Sequence, residues 1–229
     1  MDSSWKHFLP GACAALAGLM LAGCANSRAV SARAKFYQGR YAEAEQALAE
    51  TKPDEKDAIM LLMERGTIRQ AMRKHEDSTS DWLEAARREN YLKTRSASET
   101  AASFLANDMT IAYRGPPFES TLVHSFLAKN YLASRKWEDA AVEARNVILN
   151  LQNLNGYPDD AYSRYMAGFC LELMRDRSNA ALQYRSASNL LAGVTIDDQT
   201  GAIGPAGMNL AGRADPRRCE LVCFVGIGR

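Results

Sequence analysis

The sequence predicts an all-α fold of packed helical hairpins, and three observations support this. Alanine is abundant while valine and isoleucine are sparse, which favours closely packed helices over a large sheet. The 229 residues include only 7 prolines and 15 glycines, which excludes collagen-like and disordered classes. Small and large residues also recur at a regular spacing through the middle of the chain. This length suffices for one medium domain or two small ones, with a buried core.

The charge balance argues against nucleic acid as a partner. The chain carries 28 basic and 27 acidic side chains, a net charge of +1. No excess of basic charge is available to neutralise phosphates.

The first residues resemble a bacterial lipoprotein signal peptide. Lys6 precedes an uncharged apolar run over residues 8–22, which is shorter than the roughly 20 residues of a membrane span. The run leads into Leu21-Ala-Gly-Cys24, which looks like a lipobox. We therefore expect residues 1–23 to be removed by cleavage between Gly23 and Cys24, with lipidation of Cys24 by diacylglycerol and fatty acids such as palmitate. An alanine-rich buried helix with an incidental cysteine is the alternative.

The expected location follows from this segment. Acyl chains on Cys24 would hold the protein on a membrane. Ala25 is not the aspartate that typically retains such lipoproteins at the inner membrane. In a Gram-negative host, the protein is expected at the outer membrane facing the periplasm, with residues 24–29 as a tether.

The first helical unit contains Gly39, Tyr41, Ala44 and Leu48. A turn with glycine, an aromatic residue, a small residue and a large apolar residue at these intervals is typical of a tetratricopeptide repeat (TPR). The small residue lets the second helix approach the first, and the larger side chains fill the groove on either side.

Three further units continue this pattern. Ala44 and Ser78 are 34 residues apart, which is the TPR period. The predicted positions are Gly66, His75, Ser78, Trp82 and Ala85 in the second unit; Leu127, Ala128, Tyr131, Trp137, Ala140 and Ala144 in the third; and Gly168, Leu171, Ala180, Tyr184 and Ala187 in the fourth. We therefore predict a TPR-like superhelix of helical hairpins over residues 30–193; a generic helical bundle is the alternative. A longer gap between units two and three predicts an extra helix over residues 94–109, a loop at 114–117 and a new helix start at Phe118.

At this point the chain resembles a family of uncharacterised bacterial TPR-like lipoproteins. The likeness covers roughly residues 35–190. It is carried by the segments at 61–66, 103–108, 113–119, 127–132 and 137–145, among which Asn107-Asp108 and Tyr113-Arg-Gly115 are the most specific. The family has no established catalytic residues to carry over. Similar proteins continue into a strand-rich portion after a glycine-rich linker, so this chain is expected to be a member shortened at the C-terminus.

Residues 194–229 are predicted to form a linker and a strand-like tail. Glycines at 201, 204 and 207 suggest a phosphate loop, but the Lys-Ser/Thr of a P-loop is missing, so a flexible linker is expected. Residues 219–225 form one apolar stretch, predicted to be an isolated strand. This strand pairs with another chain or is a poorly ordered remnant.

The sequence predicts no enzyme activity, metal or cofactor. His75 and His124 both fall in repeat positions, and no second histidine follows His75 at zinc-protease spacing. Cys219 and Cys223 are poorly spaced for shared coordination on a strand. A disulfide among Cys170, Cys219 and Cys223 stays open, as does the oligomeric state.

The expected function is protein binding by an adaptor of the cell envelope. In a TPR array the first helix of each hairpin lines the concave side, where peptides bind. The candidate binding residues are Ser125, Lys129, Leu132, Tyr165, Phe169 and Glu172, with Arg114 in the 107–119 loop. For Tyr165 and Phe169, packing against a neighbouring helix is the alternative. The expected partners are other envelope proteins or peptides. The alternatives are a structural scaffold subunit of an envelope complex, assembled through its C-terminal strand, and a regulator of a cell-wall enzyme.

Overall fold

A computed structural model describes residues 27–50, 57–99, 116–154 and 156–210. The chain divides into two compact units, residues 1–49 and 50–229. The sequence-predicted sites at Gly23, Cys24 and Arg114, the strand at 219–225 and most of the helix predicted for 94–109 lie outside the described residues.

The described part of the first unit is one helical hairpin. Helix α1 spans Ser27–Tyr37 and helix α2 spans Tyr41–Ala47. Ala32 on α1 and Ala44 on α2 are fully buried, and Leu48 at the end of α2 is buried with them. Small side chains at these positions let the two helices pack closely.

The second unit contains six helices and two short strands within its described residues. They are α3 (Ala58–Ala71), α4 (His75–Glu99), α5 (Pro117–Ala133), α6 (Trp137–Leu151), α7 (Ala161–Leu173), α8 (Arg177–Leu190), β1 (Val194–Ile196) and β2 (Ile203–Pro205). The prediction of a predominantly helical chain is confirmed. Helices α3 and α4, α5 and α6, and α7 and α8 form three hairpins, and each hairpin packs against the next.

The same turn closes all four hairpins. Its central residue has a positive φ and lies five positions before the small buried residue of the second helix; these central residues are Gly39, Arg73, Arg135 and Arg175. The next residue donates its N–H to a carbonyl five positions earlier, as Lys74 does to Arg69 at 2.9 Å. This bond satisfies a carbonyl that the end of the first helix would otherwise leave unpaired.

A second regularity joins the two helices of every hairpin. A small residue on the first helix lies 16 positions before a buried residue on the second; the pairs are Ala32 and Leu48, Gly66 and Trp82, Ala128 and Ala144, and Gly168 and Tyr184. A Cβ on Gly66 would be 2.8 Å from Trp82 Nε1, and one on Gly168 would be 2.8 Å from the ring of Tyr184. The glycines therefore make room for the two largest buried aromatic side chains.

A buried polar network connects the second hairpin to α5. The amide of Asn130, fully buried on α5, donates to Ser78 Oγ at 2.8 Å and accepts from Gln70 Nε2 at 2.6 Å. Ser78 Oγ in turn donates to the carbonyl of Gly66 at 2.8 Å. Beside this network the ring of Phe126 stacks on Trp82 with a centroid separation of 5.0 Å. Polar and aromatic contacts together fix how the two hairpins pack.

The prediction of a flexible linker is wrong for residues 194–210. Strands β1 and β2 pair antiparallel, with Thr195 opposite Gly204. Asp197 organises the turn between them, because its Oδ1 accepts from the Thr200 N–H at 2.9 Å and from the Thr200 hydroxyl at 2.8 Å. Ile196 on β1 is buried in the helical core. Apolar burial and a satisfied turn therefore hold this glycine-containing segment against α8.

Two smaller expectations also differ from the structure. Helix α4 continues through Thr94 to Glu99, so no new helix begins at residue 94. Tyr41 and Trp137, expected to fill the groove between helices, are each more than a third exposed. Both residues begin the second helix of their hairpin, where the side chain lies at the edge of the packed face.

Candidate functional site

The main candidate site is a pocket at the end of the helical array, which we call the α7 pocket. Its volume is about 390 Å³, and it is lined by Tyr165, Phe169, Glu172, Leu173, Arg175, Tyr184 and Thr200. Residues 165, 169 and 172 share one face of α7 because they are four and three positions apart. Three of the residues predicted as binding candidates therefore lie together in one pocket, and the β-hairpin contributes Thr200 to its wall.

Tyr165 forms the inner part of this pocket and is not an exposed groove residue. Its side chain is 9% exposed, and its hydroxyl donates to the carbonyl of Gly201 at 2.9 Å. Its ring lies 5.2 Å from that of Tyr184. Tyr165 thus joins α7 to the β-hairpin and also lines the pocket, and its role in binding stays a prediction.

Tyr184 and Glu172 form a polar pair in the wall of the pocket. The Tyr184 hydroxyl donates to Glu172 Oε2 at 2.5 Å. Burial of the ring raises the pKa of Tyr184, and the negative charge of its acceptor Glu172 adds to this effect. Tyr184 therefore stays a neutral hydrogen-bond donor, and Glu172 is held in one orientation.

Phe169, Glu172 and Arg175 give the pocket its binding chemistry. Phe169 is half-buried and offers an aromatic surface, while Arg175 is exposed at the turn after α7. A carboxylate and a guanidinium within one small pocket can engage both a donor and an acceptor of a polypeptide. Aromatic and arginine side chains also dominate the energetics of many protein interfaces.

The candidates on α5 differ in accessibility. Ser125 is 1% exposed and donates to Thr121 O at 3.0 Å and to Ser163 Oγ at 2.9 Å, so it joins α5 to α7 and cannot meet a partner. Lys129 is partly exposed, with Nζ 5.8 Å above the ring of Phe126, and burial lowers its pKa. Leu132 packs against the core of the last two hairpins. Of these three predicted residues, only Lys129 presents a charged group at the surface of α5.

The two histidines of the described chain contribute to helix packing. His75 is half-buried, and its Nδ1 lies 3.4 Å from Asn130 Oδ1, beside the polar network that joins the second hairpin to α5. His124 Nδ1 lies 2.6 Å from Glu143 Oε2, which links α5 to α6. Neither histidine lies in the α7 pocket.

Cys170 lies in the core behind the pocket. Its thiol is fully buried and unpaired by any disulfide, and burial raises its pKa to about 12. Within residues 27–50, 57–99, 116–154 and 156–210, no cluster of three or more His, Cys, Asp or Glu side chains is arranged to hold a metal ion.

Four residues that line the α7 pocket were not predicted as binding residues: Tyr184, predicted only as a repeat position, and Leu173, Arg175 and Thr200. Leu173 ends α7 and Arg175 lies in the turn that follows, so the position of Arg175 depends on its left-handed backbone conformation. Thr200 reaches the pocket only because residues 194–205 fold back as a β-hairpin. The clustered glycines near Asp197 were the available signal for this turn.

Similarity to known proteins assigns this chain to no family. No helix among the described residues has the length and apolarity needed to cross a membrane. Comparison of the chain with models of protein families, with curated proteins and with solved structures gives no match.

Proposed function

We propose that this protein is a lipid-anchored adaptor of the bacterial cell envelope that binds another protein through stacked TPR-like hairpins. Cys24 would carry the acyl chains and hold the protein at the outer membrane, facing the periplasm. The lipobox Leu21-Ala-Gly-Cys24 supports the anchor. The proposed role is binding and not catalysis.

The observation that carries the proposal is the common geometry of the hairpins. All four share the left-handed turn five residues before the small buried residue of the second helix. They also share the 16-residue spacing between buried partners on the two helices. The three hairpins of the second unit pack in series, and hairpins that stack in this way form extended surfaces suited to binding polypeptides. This equivalence supports a TPR-like superhelix over a bundle of unrelated helices.

The α7 pocket is the proposed anchor point for the partner. Phe169 offers an apolar surface, and Glu172 and Arg175 offer one acceptor and one donor group near it. An extended peptide that places one side chain in this pocket would bury the aromatic surface and pair with the flanking charges. Lys129 on α5 would then extend the same binding surface.

Affinity capture from crosslinked envelopes tests this proposal. The variant Phe169→Ala with Arg175→Ala should lower partner recovery several-fold, because it removes the aromatic surface and the guanidinium. Leu149→Ala is the matched control, since Leu149 is 57% exposed on α6 and outside the pocket. The far-ultraviolet circular dichroism and melting temperature of each variant separate loss of binding from loss of fold. Equal recovery from the pocket variant and the control would contradict the proposed site.

The membrane anchor has a separate test. Cys24→Ser should abolish incorporation of labelled fatty acid and release the protein from the membrane fraction. Continued labelling would mean that another residue carries the lipid. Deletion of residues 213–229 distinguishes the scaffold alternative, because loss of assembly with an intact α7 pocket would favour that function over the adaptor.

A further inference from the structure

Arginine recurs at one unfavourable backbone position in the second unit. Arg73, Arg135 and Arg175 each lie at the centre of the turn that closes a hairpin, with φ values of 60°, 59° and 61°. A left-handed backbone is unfavourable for a residue with a Cβ, whereas glycine adopts it freely. The equivalent turn of the first unit has Gly39 at this position. Because the turn geometry favours glycine, the recurrence of arginine points to a role for its side chain.

The three guanidinium groups are accessible to a partner. All three arginines are exposed. Within the described residues, none of these side chains forms a hydrogen bond or an ion pair. By contrast, Arg65 and Arg69 on α3 both pair with the buried carboxylate of Asp81. The arginines of the turns therefore do not stabilise the described fold through ion pairs.

The turns at Arg73 and Arg135 lie side by side. Gln70, three positions before Arg73, donates from Nε2 to Asn130 Oδ1 at 2.6 Å, and Asn130 lies five positions before Arg135. His75, two positions after Arg73, has its Nδ1 3.4 Å from the same oxygen. Helices α3 and α5 therefore bring their C-terminal ends together.

The turn at Arg175 lies at the same end of the helices. Helices α5 and α7 pack directly against each other. The ring of Phe118, near the start of α5, lies 5.7 Å from that of Tyr157 in the segment before α7. Farther along both helices, Ser125 Oγ donates to Ser163 Oγ at 2.9 Å. The two helices therefore run side by side in the same direction, and the turns that follow them adjoin.

These turns form a row that we call the arginine edge, defined by Arg73, Arg135 and Arg175. Packed helices lie about 8–10 Å apart, so neighbouring turns are separated by roughly 10 Å. A polyproline II chain has three residues per turn and rises about 3.1 Å per residue. Every third side chain of such a chain therefore lies on one face, at intervals of about 9 Å. In a β-strand, every third side chain points to the opposite face. The spacing of the arginine edge thus matches a polyproline II segment.

Acidic residues near the arginine edge select the kind of anion. Glu76 and Asp77 lie in the first turn of α4, and Glu138 and Asp139 lie in the first turn of α6. These carboxylates oppose a broad anionic surface such as an acidic membrane. Separate carboxylates that each face one guanidinium are affected less, because arginine binds a carboxylate in a bidentate geometry. The charge distribution therefore favours a polypeptide with spaced acidic side chains.

We propose that the arginine edge binds an extended, polyproline II-like segment of the partner protein whose carboxylates, at every third residue, pair with Arg73, Arg135 and Arg175. Arg175 also lines the α7 pocket, so this segment continues from the residue that the pocket holds. This binding mode rests on the proposed adaptor function and adds the charge and the spacing that the partner would carry.

Two peptides of identical composition test this spacing by isothermal titration calorimetry with the full-length chain. Both are acetylated and amidated; the first is Glu-Pro-Pro-Glu-Pro-Pro-Glu, and the second is Pro-Glu-Pro-Glu-Pro-Glu-Pro. Proline favours polyproline II in both, but only the first places its carboxylates on one face. We expect saturable binding of the first peptide, several-fold tighter than that of the second, and loss of binding when glutamine replaces its glutamates. No binding of the first peptide, or equal affinity for both, would overturn the proposal.

Glycine substitutions link this binding to the arginines. Arg73→Gly, Arg135→Gly and Arg175→Gly should each lower the affinity for the first peptide roughly 2- to 5-fold, because each removes one exposed ion pair. The melting temperature of the triple variant should not fall, since glycine adopts the left-handed backbone freely, so unfolding cannot explain the lost binding. Arg145→Ala is the control, because it removes an exposed cation of α6 outside the turns and should leave the affinity unchanged. Unchanged affinity of the triple variant would exclude the arginine edge.

Two further outcomes separate this binding mode from the adaptor function and from membrane contact. If partner capture from crosslinked envelopes depends on Phe169 but the first peptide does not bind, the arginine edge is wrong and the α7 pocket remains. Vesicles of phosphatidylglycerol and of phosphatidylcholine test the membrane. A preference for phosphatidylglycerol that the triple variant loses, without peptide binding, would overturn the proposal in favour of a membrane surface. Peptide binding, with an unchanged vesicle preference in the triple variant, supports the acidic polypeptide.

Discussion

Replacing Gly168 with alanine tests the close approach of α7 and α8. A Cβ at this position would lie 2.8 Å from two ring carbons of Tyr184 and 3.3 Å from the carbonyl oxygen of Ala180. The ring cannot move away easily, because Gly201 approaches Tyr184 so closely that its own added Cβ would lie 2.7 Å from Cζ. The hydrogen bond to Glu172 also holds the end of the ring. The added methyl group must therefore displace packed atoms.

Two opposing effects set the expected magnitude. Overpacking a well-packed core costs about 1–3 kcal/mol, while alanine improves on glycine by up to about 1 kcal/mol in a helix. Once a helix gain of about 1 kcal/mol is subtracted, Gly168→Ala should lower the free energy of unfolding by up to about 2 kcal/mol. For a unit of this size, each 1 kcal/mol shifts the melting temperature by roughly 2–4 °C.

A double-mutant cycle separates these two effects. Chemical denaturation gives the cost of Gly168→Ala in the native chain and in a Tyr184→Ala background. With the ring removed, the helix preference and the milder 3.3 Å contact with the Ala180 carbonyl oxygen remain, so Gly168→Ala should become neutral or stabilising, by at most about 1 kcal/mol. A more unfavourable effect of Gly168→Ala in the native chain than in the Tyr184→Ala background supports the packing argument. A stabilising Gly168→Ala in the native chain, or an equal effect in the two backgrounds, would refute it.

Three further predictions concern other parts of the second unit. Arg135→Gly should raise the free energy of unfolding by up to about 1 kcal/mol in denaturant titrations, because Arg135 has a φ of 59° that glycine adopts without strain. Lys136→Gly is the control and should lower the free energy of unfolding, because Lys136 has an ordinary φ of −96°. Cys170 should resist alkylation at pH 8 until the protein unfolds, because its thiol is buried and burial raises its pKa to about 12. Rapid native-state labelling of a chain in which Cys170 is the only cysteine left would contradict its burial. The hydrogen bond from Arg87 lowers the pKa of Glu84 from 4.5 to about 2, so this ion pair stabilises above pH 4.5 and its contribution disappears as the pH falls towards 2. Glu84→Gln should therefore cost up to about 1 kcal/mol at pH 7 and nothing near pH 2, whereas an equal cost at both values would exclude this linkage.

The helical hairpins could be predicted because their spacing reflects local steric requirements. Ala44, Ser78, Ala140 and Ala180 are small, and all are buried where two helices approach each other. This requirement is visible in sequence because only small side chains fit there. The left-handed turns at three arginines were not predictable in the same way, since arginine has no preference for a positive φ.

The exposure of the candidate residues was harder to predict than their helices. Ser125 and Lys129 are one helical turn apart, yet only Ser125 is fully buried, because α7 packs on that part of α5. Tyr165 is covered by Gly201, which is 36 residues away in sequence. A helical period identifies one face of a helix, but it does not identify which later segment covers that face.

The β-hairpin connects the end of the helical array to the α7 pocket. Among the described residues after α8, which extend to residue 210, there is no further helix. This segment instead buries the apolar side chains of Ile196, Ala202 and Leu210. A series of packed helical hairpins exposes an apolar face at its end unless another element covers it. The hairpin provides that cover for Tyr184, and Gly201 is required because the backbone touches the ring. Because the turn also brings Thr200 to the pocket wall, the same segment that covers the core completes the candidate binding site. Gly201, one of the three glycines that suggested a linker, is therefore the residue that lets the chain approach α8 closely enough to form this site.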